Sequence, residues 1–247
     1  MKSWENSSNW YDLIVGKEGH YYHKRVIFPI LLKIMKEKPF KKVLDLACGQ
    51  GVLSRVLPKD VSYTGVDLAK SLIKAAKEYK KNNNHQFLVA DVEKKLPITE
   101  KDFDYVTMIL AFQNIEKRDQ VIKNAFTSLK KGGRFFLVLN HPCFRIPRQS
   151  HWIIDDKKNC QSRSMDSYMS EQKIPIKTHP SKKNSQITFS YHFPLSSLVN
   201  ALFKQGFVVE KIEEMCSDKK STGKKAKMED RSRREFPLFL LLVAKKG

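Results

Sequence analysis

The sequence predicts an α/β fold built on a doubly wound, mostly parallel sheet. Two observations carry that expectation. Short apolar runs alternate with helix-period segments from about residue 41 onward. The first run, Val43 to Leu46, passes straight into Ala47-Cys48-Gly49-Gln50-Gly51, and the second ends in Asp67, 67 − 45 = 22 residues after Asp45. A glycine turn behind one strand and an acid at the tip of the next is the arrangement of a βαβ nucleotide site.

Residues 1–40 precede the first strand. Trp4, Trp10, Tyr11, Tyr21 and Tyr22 make them rich in aromatics. Val26, Ile30, Leu31 and Ile34 mark a helix with one apolar face, and Pro29 belongs in its first turn. After the strand, Gly49 and Gly51 permit positive φ and close approach to a ligand. Val52 to Leu57 read as a short helix whose free N–H groups would face a polar group. Ser62 to Leu68 form the second strand. Ser54 stands where a phosphate cradle would want a third glycine, and no Lys-Ser/Thr pair follows, so a P-loop is excluded. What remains is a nucleoside-binding turn, with Asp67 placed to accept two ribose hydroxyls.

Leu72 to Tyr79 should be the next helix, and a third strand ends at Asp91. Tyr105 to Ala111 is a continuous apolar run, as in a central parallel strand covered on both faces. Val121 to Leu129 follow as a helix, and Gly132-Gly133 turn the chain into a strand from Arg134 to Asn140. That strand delivers His141 to the carboxyl edge of the sheet, where ligands bind in such folds. With a reference pKa near ~6.5, His141 is the candidate catalytic base; capping the strand end through a backbone hydrogen bond is the alternative. Arg145 and Arg148 are suited to a substrate carboxylate or phosphate.

Residues 145–193 exceed what a minimal connection needs, and a segment of that length suggests a cap over the substrate. Lys173–Lys177 and Gln186–Tyr191 alternate around Pro180 to Ser185 as an exposed hairpin. Trp152, Tyr168, Phe189, Tyr191 and His192 are candidate pocket lining, with packing on the sheet the alternative for each. Pro194 opens a helix with Leu195, Leu198, Leu202 and Phe203 on one face, and Gly206 closes it. Phe207–Ile212 and Pro237–Ala244 read as the last two strands. Between them, 8 of the 16 residues from Lys219 to Arg234 are Lys or Arg, which suggests a solvated loop.

Net charge is +20, from 46 basic and 26 acidic residues. A field of that size attracts polyanions. Lysine supplies 36 of the positive charges, however, alongside runs such as Asn82-Asn83-Asn84, as a skewed composition would also produce. Functional nucleic-acid binding is therefore the less favoured reading of the charge. Cys48, Cys143, Cys160 and Cys216 are scattered, without a Cys-x-x-Cys pair, so neither a disulfide framework nor a metal site is expected and a reducing, cytoplasmic setting fits. Neither the polar N-terminal stretch nor Phe236–Ala244 has the length of a signal or a membrane span.

The turn Asp45-Leu46-Ala47-Cys48-Gly49-Gln50-Gly51 resembles motif I of the class I S-adenosylmethionine (SAM)-dependent methyltransferases. Thr64-Gly65-Val66-Asp67-Leu68, Phe87 to Val92, Phe103 to Met108 and Leu129 to Leu137 with its Lys-Lys-Gly-Gly turn resemble that family's next four landmarks, in order. The resemblance implies a Rossmann-like seven-stranded sheet with a C-terminal antiparallel hairpin and an inserted cap. It divides the chain into an N-terminal helical lid at 1–40, a SAM-binding core at 41–144, a substrate cap at 145–193, and the rest of the sheet at 194–247 with a basic loop at 219–234. It also implies that Asp45, Ala47, Cys48, Gly49, Gly51, Asp67, Leu68 and Leu110 surround SAM. Asp91 would accept from the adenine amino group, the Val92 N–H would donate to a ring nitrogen, and Tyr22 and His23, in the lid, would contact the cofactor or substrate, with packing of the helix onto the body as the alternative.

Arg145, Trp152 and Tyr191 are the substrate candidates. The chain lacks the (Asn/Asp)-Pro-Pro-(Tyr/Phe) of amino-methylating enzymes after its fourth strand, having Leu110-Ala111-Phe112-Gln113-Asn114. The pattern looks loosely like the ubiquinone/menaquinone-biosynthesis type. The expected activity is therefore methyl transfer to a small molecule by in-line displacement, with RNA or protein methylation, or non-catalytic SAM binding, as alternatives.

Overall fold

The computed structural model describes residues 15–16, 19–177 and 187–247. A single π-type turn, His23–Ile27, runs into helix α1 (Phe28–Met35), with Pro29 in its first turn as expected. Strands β1 (Lys42–Leu46), β2 (Ser62–Asp67) and β3 (His85–Val89) follow, with helix α2 (Lys70–Glu78) between the last two. Then come β4 (Phe103–Ile109), α3 (Arg118–Ser128) and β5 (Leu129–Asn140). Two hairpins succeed them, β6 (Ser150–Asp155) with β7 (Cys160–Met165), and β8 (Gln172–Lys177) with β9 (Ile187–His192). Helix α4 (Leu195–Gln205), strand β10 (Phe207–Met215), helix α5 (Ala226–Glu235) and strand β11 (Phe239–Lys246) complete the described chain.

The main sheet has the order β10-β11-β5-β4-β1-β2-β3. Strands β1 to β5 pair in parallel, and β11 is antiparallel to both β5 and β10. Alternate residues of the central strands feed opposite layers, because the strand side-chain period is two. Val106, Phe135, Leu137 and Leu242 join one core, capped by α3 and α4; Tyr105, Phe136, Val138 and Leu241 join the other, capped by α1 and α2. This two-sided burial explains the unbroken apolar runs of β4 and β11. The strand order reverses between β1 and β4, and the crevice outside the carboxyl ends there is where such sheets bind ligands.

Four expectations need correction. The helix expected at Val52–Leu57 is one 3-10 turn, Leu53–Arg55. Gly51 packs beneath the Phe87 ring at its start, and Pro58 bars extension at its end. The basic run at 219–234 is not simply a loop, since α5 occupies most of its second half. There Met228 and Ser232, one turn apart, are buried, and the Ser232 hydroxyl donates to the Gln161 carbonyl of β7. Phe203 is 75% exposed, because it lies one residue round the helix from the buried Leu198 and Leu202. Finally, β6–β7 is a hairpin that its mixed polar sequence did not announce. The expected turn at 180–185 lies outside the described residues, as do Trp4, Trp10 and Tyr11.

Candidate functional site

At the carboxyl ends of β1, β2 and β4 the chain opens a cleft with about 810 Å³ of free space. Its lining includes Ala47, Gly49, Asp67, Leu68, Asp91, Val92 and Leu110. Seven residues singled out in the sequence thus meet at one place. Asp67 ends β2 with its carboxylate at the cleft surface, where Oδ2 accepts the Gly49 N–H and Oδ1 the Ala69 N–H, both at 2.9 Å. These two bonds fix the glycine turn to the acid. Ala47 (φ 55°) and Leu110 (φ 53°) both border the cleft in the left-handed region, a conformation that costs a non-glycine residue about 1–2 kcal/mol. The Leu110 carbonyl accepts the Gln113 Nε2–H at 2.7 Å, and its N–H donates to the Val138 carbonyl at 2.8 Å.

Across the cleft, Asp91 Oδ1 accepts the Glu93 N–H at 2.9 Å. Buried Asn124 of α3 donates to the carbonyls of Val92 and Lys94, at 2.9 and 2.7 Å, and so holds that loop against the sheet. Ala69, Leu72, Ile109, Ala111, Asn114 and Ile115 complete the wall. None of these was among the site residues read from sequence. Leu72 lies in a helix expected from sequence, but which of that helix's residues meets the cleft depends on the packing of α2.

Donor chemistry and shape here fit an adenosyl group. A fixed carboxylate suits a ribose diol, Asp91 suits an exocyclic amine, and Leu68, Leu72, Val92, Leu110 and Ile115 form an apolar slot for a base.

Other sequence candidates sit elsewhere. Asp45 is buried, its Oδ2 accepting from the Tyr63 hydroxyl at 2.6 Å and its Oδ1 from the Thr107 hydroxyl at 2.7 Å. Burial raises its pKa to about 6 despite those bonds. Asp45, Ala47, Cys48 and His23 line a small adjoining cavity. Burial pushes the Cys48 thiol well above its ordinary value, which leaves it a weak nucleophile. Burial likewise lowers His23 to about 4, and its Nδ1 finds no hydrogen-bond partner. Gly51 faces Phe87 rather than the cleft. Tyr22 packs edge-on against Phe239 near Ser217.

His141 is 1% exposed, and both of its ring nitrogens are engaged. Nδ1 accepts the Cys143 N–H at 3.2 Å, so Nε2 carries the proton and donates to Glu214 at 2.7 Å. Burial lowers its pKa against the pull of Glu214. No ring nitrogen is left open for a substrate proton.

Arg145 and Tyr191 line a second, narrow cleft beyond β4 and β5, with His192 beside them. Trp152 is absent from that lining; its ring packs on Phe236 and under the Arg163 guanidinium. Tyr168 borders a separate shallow hollow, and Phe189 is half exposed under Lys173. Among the described residues no group of three His, Cys, Asp or Glu gathers as a metal site, and no helix is long and apolar enough to cross a membrane.

Residues 44–137 match the model of a methyltransferase domain family. The chain is 33% identical over 120 residues to the ubiquinone biosynthesis O-methyltransferase of Coxiella burnetii, covering 45% of this chain and 50% of that protein. It is 30% identical over 120 residues to the demethylmenaquinone methyltransferase of Thermotoga maritima, covering 47% and 49%. The match therefore spans about half the length of these curated relatives. A SAM-dependent methyltransferase structure from Mesorhizobium loti superposes with a TM-score of 0.71 at 25% identity, over 89% of this chain and 97% of that one.

Proposed function

Since this chain belongs to the class I SAM-dependent methyltransferases, we propose that it transfers the SAM methyl group to a small-molecule acceptor. The observation that carries the reading is the Asp67 carboxylate, held by two backbone N–H bonds between the glycine turn and the apolar slot. SAM, once bound, supplies a methyl carbon already activated by sulfonium charge.

In this reading Asp67 holds the ribose hydroxyls and Leu68, Val92 and Leu110 sandwich the base. Asp91 accepts from its amine, and Ala47 and Gly49 let the backbone approach the amino-acid portion. The chain's remaining task is alignment, with the acceptor atom held about 3–3.5 Å from the methyl carbon, and water excluded. The 110–114 segment is the wall shared by the two clefts, so an acceptor in the second cleft would lie beside the SAM site. We assign His141 to holding the end of β5 rather than to proton transfer, because both its nitrogens are taken.

The basic surface supports an RNA or protein acceptor less well. Around α5 its charges are partly answered by acids: Arg233 meets Glu229 and Asp230, Lys225 meets Asp156, and Arg25 meets Asp218. The two hairpins within 145–193 support a cap over that segment. Titration calorimetry should show SAM and its demethylated product binding with 1:1 stoichiometry. Binding of neither would end the proposal.

A further inference from the structure

The second cleft, enclosed by the ends of β4, β5 and β9 and the start of α4, holds polar groups that the fold leaves unused. Arg145 is exposed at its mouth and, among the described residues, makes no side-chain hydrogen bond or ion pair. The turn that carries it is fixed, since its N–H donates to the His141 carbonyl at 2.9 Å. The Asn140 amide, at the tip of β5, likewise has no side-chain partner among the described residues.

Gln113 is the third group. Its Nε2 is committed to the Leu110 carbonyl at 2.7 Å, which fixes the amide, and its Oε1 is buried without a partner. A buried, unsatisfied acceptor costs about 1–3 kcal/mol. Native structures retain few of them, so each one calls for an explanation. Nearby, among the described residues, the Arg163 guanidinium donates to carbonyl and hydroxyl oxygens of Phe144 and Ser150 and lies over the Trp152 ring, and burial and then the Arg145 charge lower its pKa. Phe112, Phe193 and Leu198 supply an apolar wall.

We propose that this cleft is the acceptor subsite, and that it takes a small molecule bearing an oxyanion (carboxylate or phosphate) together with a separate hydroxyl or amine. Arg145 pairs with the oxyanion, as a planar guanidinium does in bidentate fashion. Gln113 Oε1 accepts the hydroxyl or amine hydrogen and so turns that atom's lone pair toward the neighbouring SAM cleft. The new bond joins the acceptor oxygen or nitrogen to the methyl carbon. The S–CH₃ electron pair stays with sulfur, and the proton leaves to water. The oxyanion is kept in the product. This inference rests on the methyltransferase reading above.

The test uses the full chain, methyl-labelled SAM and a whole-cell extract, separated afterwards into small molecules, RNA and protein, with the small-molecule fraction passed over an anion exchanger at pH 7. The label is expected in a retained, anionic product. Arg145→Gln should lower its formation at least tenfold with SAM affinity within twofold of wild type, and Arg145→Lys should restore part of the rate. Alkaline phosphatase, by removing the retention or leaving it, tells phosphate from carboxylate. Label in an uncharged small product, or an Arg145→Gln rate equal to wild type, overturns the oxyanion subsite and leaves the methyltransferase reading standing. Label entering RNA or protein, or no SAM binding at all, overturns both.

Discussion

Asp67 is the residue on which most depends, because one carboxylate both shapes the turn and faces the cleft. Asp67→Asn replaces one acceptor oxygen with a donor, so the Gly49 or Ala69 N–H loses its partner. Hydrogen bonds to charged groups contribute about 1.5–3 kcal/mol each. Affinity for SAM and its product, read by calorimetry on folded protein, should fall about 10- to 100-fold. His23 and Asp45 line the same small cavity and titrate in opposite senses. His23 is lowered to about 4, so the stability it contributes is fully present above its unfolded value of about 6.5 and is lost as pH falls toward 4. Asp45 is raised to about 6, so the unfolded state binds fewer protons than the folded one, and stability is lost as pH rises from about 4 through 6. The two slopes offset each other in the native chain. His23→Phe should therefore lose stability as pH rises through that window and Asp45→Asn as it falls, each by an amount on the order of 3 kcal/mol in urea unfolding.

At the scale of elements, the turn between β1 and β2 shows how a familiar pattern can carry a different physical load. Gly51 was expected to admit a ligand, yet a Cβ there would lie 2.5 Å from Phe87 Cε1, at a φ of +69°. Its glycine lets the first turn pack against β3. Gly51→Ala combines left-handed strain of about 1–2 kcal/mol with overpacking of about 1–3 kcal/mol. It should lower the unfolding free energy by roughly 2–5 kcal/mol, measured by chemical denaturation. Product affinity of the fraction still folded should change much less. Element existence was mostly legible from apolar period and punctuation: Pro194 and Gly206 do bound α4, with Gly206 at φ 101°. The failures came where period is silent. The segment at 52–57 lacks the length for a helix between Gly51 and Pro58, and β6–β7 has its apolar Trp152, Ile153 and Ile154 in succession rather than in alternation.

Across the whole molecule, a net charge of +20 sets a long-range field. Screening separates the candidate partners, since a phosphate-backbone partner releases counterions while a small acceptor in a cleft meets few charges. Methyl transfer to a small molecule should fall less than about threefold between 50 and 300 mM salt, followed by label incorporation. A loss of about 10³-fold or more would instead indicate nucleic acid.

What the sequence determined on its own is the sheet and the lining of the main cleft. Strand tips, a glycine turn and acids at those tips are local features, and parallel winding brings Ala47, Asp67, Asp91 and Leu110 to one edge whatever the loops do. The tertiary structure decided the rest. Only packing shows that both His141 nitrogens are spent on Cys143 and Glu214, that Asp45 is sealed under Tyr63 and Thr107, and that Gln113 Oε1 and the Arg145 guanidinium have no hydrogen-bond partner among the described residues. Availability of a polar group depends on partners far along the chain, and no residue's own neighbours in sequence carry that information.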